Sequence, residues 1–279
     1  MSATDDIALD RRPDAPTETP ATTAGFDWVR LVPLITVAVI LALWSLAASR
    51  GWVSRVFLPS PAAVLASAYQ VTVSGFADST LPQHLLASLA RVFGALLASI
   101  VVAVPIGAVI ATSRIGRGIF DPLVEFLRPL PPLAYLPLII IWFGIGEASK
   151  VLVIALAMAP PIIIATAAGV RSVSADRLNA ARSLGATPLQ LLRFVVLPSA
   201  LPSIVTGIRI ALGAGWSTLV AAELVAASRG LGFMIQSAAT FLGTDVVILG
   251  IAVIGAVAIL FELLMRALER RFVPWSTHL

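Results

Sequence analysis

Asn179-Ala180-Ala181-Arg182-Ser183-Leu184-Gly185, followed nine residues later by Val195-Val196-Leu197-Pro198, is a polar interruption between two long apolar runs. Ser174 can cap a helix whose first turn carries Asp176, and Gly185 supplies the positive φ that ends it. The chain then restarts: Thr187 as cap, Pro188 at the first helical position and Gln190 three residues after the cap form a capping box. A second short helix is predicted to run to Leu197, with Pro198 closing it. Two short helices and a sharp turn in a chain this apolar form a water-exposed hairpin. Ala180 and Ala181 have almost no side chain, so another protein can approach the backbone there, and Arg177 and Arg182 flank the contact with charge. The alternative is an amphipathic loop resting at the lipid headgroups.

Composition sets the class around that hairpin. The 279 residues are 58% hydrophobic and 12% charged, with a mean hydropathy of +0.97, far more apolar than a soluble domain. At about 20 residues per span the chain has room for roughly six membrane helices with short loops, and for no second soluble domain. The formal charge is +4, and Lys150 is the one lysine among 19 basic residues. In a bilayer protein that excess reads as topology rather than nucleic-acid affinity. Cysteine is absent, which removes disulfides and thiolate metal sites.

Residues 1–30 are expected as a disordered cytoplasmic tail, rich at first in Asp, Thr, Pro and Ala. That length argues against a cleaved signal peptide, although Leu46-Ala47-Ala48-Ser49 loosely resembles a cleavage site. Residues 31–83 read as a first span, 31–49, and a strap with a short helix at the membrane surface. Uncharged runs at 92–113, 129–146, 151–170 and 246–261 supply four more spans. A sixth, 201–224, must accommodate Arg209, at a cost of about 2.5–3.5 kcal/mol if it sat at the bilayer centre. Pro105, Pro129-Leu130-Pro131-Pro132, Pro137 and Pro160-Pro161 should kink these helices.

With a cytoplasmic tail, the cytoplasmic segments carry Arg11, Arg12, Arg30, Arg114, Arg117, Arg171, Arg177, Arg182, Arg193, Arg266, Arg270 and Arg271. Arg50, Arg55, Arg91, Lys150 and Arg229 fall on the poorer, opposite face. Both termini, including a short tail at 272–279, and the hairpin between the fourth and fifth spans are therefore expected in the cytoplasm.

The spacing of Ala180-Ala181, Gly185, Val195 and Leu197-Pro198 resembles the EAA loop of binding-protein-dependent ABC importer permeases. The resemblance covers residues 84–271, with the loop at about 174–198. Asn179 stands where that family usually has glutamate, and Val195 where it usually has isoleucine, so an ion pair at position 179 is not implied. Arg128-Pro129-Leu130-Pro131-Pro132, Trp142-Phe143-Gly144-Ile145-Gly146-Glu147 and Gly215-Trp216-Ser217-Thr218-Leu219 are similar to the nitrate, sulfonate and taurine branch, and within it to taurine permeases. The resemblance implies an all-α integral membrane protein of six transmembrane helices, the type I importer permease fold, in the bacterial inner membrane. It implies that Asn179, Ala180, Ala181, Arg182, Gly185, Leu197 and Pro198 couple the bundle to an ATPase. The implied partners are two ABC ATPase subunits, which hold ATP and Mg, a periplasmic substrate-binding protein and a second permease copy, most simply a homodimer in membrane lipid. The implied cargo is taurine, with aliphatic sulfonates or nitrate as the alternative.

The residues agree with that division of labour. A phosphate-cradling loop needs Gly-Lys before Ser or Thr, and Lys150 is preceded by Ser149 and followed by Val151. No catalytic residue, metal ligand set or cofactor bound by this chain is expected; the two histidines, His84 and His278, lie far apart and outside any ligand spacing. Arg209 and Glu223 are candidates for the translocation path, because ionisable groups within spans are functional hypotheses by default, and Trp216, on a face with the small residues Gly213, Gly215 and Ser217, is a third. Snorkelling of Arg209, exposure of Glu223 to water and helix packing around Trp216 would also explain them. An ATP-independent secondary transporter or a channel is the competing class; it would usually show internal repeats or an acidic relay.

Overall fold

The computed structural model describes residues 31–272. The expected tail at 1–30 and nearly all of that at 272–279 lie outside the described residues. Within them the chain is helical apart from turns and one isolated bridge between Phe76 and Ser79. Helix α1 (Val32–Ser49) is apolar on every side and buries none of its residues, the signature of a lipid-facing span.

From Ser45 onward the chain packs as one unit. Helix α2 (Pro61–Val73) starts at Ser60, whose hydroxyl accepts the Ala63 amide at 3.2 Å. At 13 residues it is too short to span and is the short helix expected in the strap. Helix α3 (Leu81–Thr112) starts well before the apolar run that announces it, because the Thr80 amide donates to Gln83 Oε1 at 2.9 Å and sets the first turn. Arg91 therefore sits inside a helix rather than in an outer loop.

The span expected at 129–146 is not one helix. Helix α4 (Arg114–Leu127) precedes it, then a 3-10 turn over Pro132–Tyr135, then α5 (Leu136–Phe143). The two arms are bent by 97° and form a span only together. Pro129, Pro131 and Pro132 are the cause: each lacks an amide donor, and Pro131, ahead of Pro132, is extended at φ −60° and ψ 125°, while Arg128 keeps helical angles. Arg114 and Arg117, expected in a loop, begin α4.

Helix α6 (Glu147–Arg171) is the centre of the bundle, packed between α3 and α9 (Leu197–Ala226). Helices α7 (Ala175–Ser183) and α8 (Pro188–Leu191) form the hairpin, and α10 (Leu231–Thr240) leads to α11 (Thr244–Phe272). Among the described residues five helices are long and apolar enough to cross a membrane, and the bent pair makes the sixth.

The seams of the core use absent side chains. A Cβ on Gly107 of α3 would lie 2.7 Å from the Ile163 carbonyl oxygen, and one on Gly207 of α9 would lie 2.5 Å from the Ala165 methyl. Such close backbone approach is how helices associate where lipid removes the hydrophobic drive. Gly107→Val should lower the stability of the detergent-solubilised protein by about 1–3 kcal/mol through overpacking. A thermal midpoint equal to wild type would show that α3 and α6 are further apart than drawn.

Candidate functional site

The hairpin is built from caps. Ser174 Oγ accepts the Arg177 amide and opens α7. At its far end Gly185 adopts φ +81°, the Gly185 amide donates to the Arg182 carbonyl at 2.9 Å, and the Ala186 amide donates to the Ala181 carbonyl at 3.1 Å. This is a Schellman close, which needs a left-handed residue at that point. Thr187 and Gln190 bond each other's backbone amides, forming the expected capping box. The Arg182 guanidinium donates to Asn179 Oδ1 at 3.3 Å, so asparagine here makes a neutral bond within its own helix.

The second helix does not stop at Leu197. After α8 the backbone passes through a π-helical segment, Leu192–Val196, directly into α9, and Pro198 occupies the first turn of that helix. The Pro198 nitrogen cannot donate to the Phe194 carbonyl, which favours the wider bonding register just before it. A proline so placed starts a helix as readily as it closes one. Helix α8 is thus continuous with α9 in a 39-residue helical segment, Pro188–Ala226, and α7 precedes it across the Gly185 turn.

No residue of α7 is buried. Leu184 at the turn is 88% exposed and Phe194 is 68% exposed, with Leu189 also bare. Large apolar groups therefore stand exposed at a polar, basic turn.

Of the three path candidates, the structure brings Arg209 and Trp216 together and sets Glu223 apart. Arg209 forms ion pairs with Glu262 and Glu269 of α11, and Glu262 also binds Arg266 at 2.8 Å. Two turns along α9, Trp216 meets Phe261 edge-on with ring centroids 5.1 Å apart. Its indole nitrogen is buried without a hydrogen-bond partner. Arg209, Trp216, Phe261 and Glu262 line one small pocket of about 80 Å³.

Glu223, 1% exposed, lies at the opposite end of α9, where α3 and α6 begin. It accepts from the Arg91 guanidinium at 2.5 Å, from the Ser88 hydroxyl at 2.8 Å and from the Gly232 amide at 2.9 Å. Arg91, 4% exposed, also donates to both oxygens of Glu147, at 2.6 and 2.9 Å, and to the Arg229 carbonyl at 2.7 Å. Lys150 joins Glu147 at 2.7 Å. His84 accepts the Gly230 amide on Nδ1, so Nε2 carries the proton and donates to the Phe76 carbonyl at 2.9 Å. A Cβ on Gly230, at φ +136°, would fall 2.4 Å from the Glu223 carboxyl. Four elements, α3, α6, α9 and the start of α10, are fastened by one saturated polar cluster. The sequence reading missed its Arg91–Glu223 pair because 132 positions separate the partners.

It also missed a stripe on α4. Arg114, Arg117, Asp121, Glu125 and Arg128 are separated by three or four residues, so they share one helix face. Among the described residues none of them forms an ion pair. The spacing was a readable signal, and lipid is a poor neighbour for such a face, which belongs against water.

The sequence matches the family described as "Binding-protein-dependent transport system inner membrane component" over residues 103–274. The chain is 55% identical to the taurine transport system permease protein TauC of Escherichia coli over 241 residues, 86% of this chain and 88% of that one. It is 33% identical to the nitrate import permease protein NrtB of Synechocystis over 247 residues, 87% of this chain and 89% of that one. Its fold is similar to a chain of the MetNI methionine ABC transporter in inward-facing conformations, with a TM-score of 0.62 and 22% identity, covering 69% of this chain and 96% of that chain.

Proposed function

Because the chain belongs to the family of binding-protein-dependent transport system inner membrane components, we propose that it is the permease subunit of an ATP-driven importer of taurine. The observation that carries the cargo is the 55% identity to TauC over most of both chains. Aliphatic sulfonates or nitrate are the second reading, favoured by weaker likenesses to permeases described for those cargoes.

In this reading the chain binds no cofactor and performs no hydrolysis. Two ATPase subunits hold ATP and Mg and grip the hairpin through Asn179, Ala180, Ala181, Arg182 and Gly185. Leu197 and Pro198 carry the motion into α9. The exposed apolar turn and the continuity of the hairpin with α9 support that role. Two identical permease copies face each other, a periplasmic binding protein delivers the cargo, and both termini lie in the cytoplasm, as the arginine distribution favours. ATP-driven closure of the ATPase pair draws the hairpins together and tilts the bundles, so coupling is the difference in ATPase contact between two states. Arg209 and Trp216 line the α9–α11 seam that such a tilt would work on. Glu223 contributes by holding α10 against α3 and α9.

The test is uptake by proteoliposomes containing the permease, its ATPase and its binding protein. Labelled taurine should accumulate only with internal ATP and external binding protein, and taurine should stimulate ATP hydrolysis only when that protein is present. Stimulation by nitrate in place of taurine transfers the cargo to the second reading.

A further inference from the structure

The break between α4 and α5 lies beside the middle of α6. Its residues Leu127, Arg128 and Tyr135 line a cavity of about 330 Å³ with Leu156 and Ala157 of α6 and Thr218 of α9. Leu156 is about 14 Å from the start of α6 and about 22 Å from its end, at 1.5 Å per residue. Irregular backbone at that depth is tolerated only where protein buries it or water fills a cavity beside it. The volume matches the small end of ligand sites, which run from about 300 to 1,000 Å³.

Two kinds of unmet polarity meet there. Arg128 is exposed and makes no ion pair among the described residues; even Glu125, one turn earlier on the same face, does not reach it. Across the cavity, Pro160 and Pro161 lack amide hydrogens, so the carbonyls of Leu156 and Ala157 lose the donors that a regular helix would bring four residues on. Both carbonyl-bearing residues and both prolines line the same cavity. An arginine that makes no ion pair among the described residues therefore shares a cavity with two carbonyl-bearing residues whose regular helical donors are missing.

The geometry points to a transient cargo subsite at this break, in which Arg128 binds the sulfonate and the Leu156 and Ala157 carbonyls bind the ammonium of a zwitterionic aminosulfonate. This rests on the reading of the chain as a taurine permease, and deepens it by naming the groups that meet the cargo in the membrane. A guanidinium presents a planar fork of donors that suits an oxyanion. Carbonyl oxygens are acceptors only, and so suit an ammonium, which has three donors and no acceptor. The site holds one charged side chain and otherwise neutral dipoles. It gives orientation without the tight grip that would stall release.

The test uses the purified permease–ATPase complex in nanodiscs, without the binding protein, and saturation-transfer NMR with millimolar taurine, ethanesulfonate or ethylamine. Wild type should give the strongest transfer to taurine. Arg128→Gln should weaken apparent taurine affinity about tenfold or more, the usual effect of losing a charged hydrogen bond, and Arg128→Lys should retain part of it because the charge remains. Pro161→Ala restores an amide donor to the Ala157 carbonyl, and should weaken taurine about threefold while sparing ethanesulfonate. Taurine binding unchanged in Arg128→Gln, or absent from wild type, overturns the subsite. Proteoliposome uptake separates the two readings. Wild-type taurine uptake with Arg128-independent binding removes the subsite alone. Arg128-dependent binding of ethanesulfonate without taurine uptake removes the taurine reading and keeps the anion half of the site.

Discussion

Arg91→Leu should destabilise the bundle by about 3–5 kcal/mol, because it strands a buried carboxylate that has lost its cation. Glu223 would keep the Ser88 hydroxyl and the Gly232 amide, but neither carries charge. Glu147 is more exposed and retains Lys150, so its share of the loss is small. The double variant Arg91→Leu/Glu223→Leu should recover much of the loss, since the penalty belongs to the unpaired ion more than to the missing bond. Thermal unfolding of the solubilised complex reads both. An Arg91→Leu protein that melts with wild type would mean that water reaches the cluster and solvates Glu223.

Gly185→Val should abolish ATP-coupled uptake while the protein still inserts and still folds its spans. The cause is conformational, since nothing lies within 4 Å of a Cβ placed there. A β-branched residue held at φ +81° is strained by about 1–2 kcal/mol or more, and relaxing that strain re-aims α7 relative to α8. Gly185→Asn should be far milder, because asparagine visits the left-handed region. Uptake and ATPase co-purification in the two variants make the comparison. Equal loss in both would place the effect in the surface of the turn rather than its backbone.

The caps and turns of the hairpin were legible because each involves partners within four residues. Ser174, Gly185, Thr187 and Gln190 carry their bonding rules in their own chemistry. Uncharged runs likewise located the spans at α1, α3, α6 and α11, and α9 followed once Arg209 was allowed within a span. Pro198 was misread because its ring is compatible with either end of a helix, and only the packing of the residues that follow decides which. The run at 129–146 looked like a span for lack of charge, yet its prolines divide it, and the missing arm was hidden in a charged segment. A rule that counts charges discards α4; a rule that asks whether charges share a face keeps it. The cluster around Glu223 was beyond reach, because His84, Arg91, Glu147 and Gly230 are adjacent only after α3, α6 and α9 have packed. The likeness of residues 84–271 to importer permeases was legible in short local motifs, whereas the cavity beside the break is lined by residues of α4, α6 and α9 that are distant in sequence.

The glycine contacts along α6 carry a mechanical consequence. Where Gly107 and Gly207 set main chain directly against a neighbour, no long side chains lie between that could yield by changing rotamer. A displacement applied to one strut is therefore transmitted to the next without slack, and the trio behaves as a stiff girder that pivots whole. A push of a few ångströms at the membrane's inner surface would then reach the far side at nearly full amplitude.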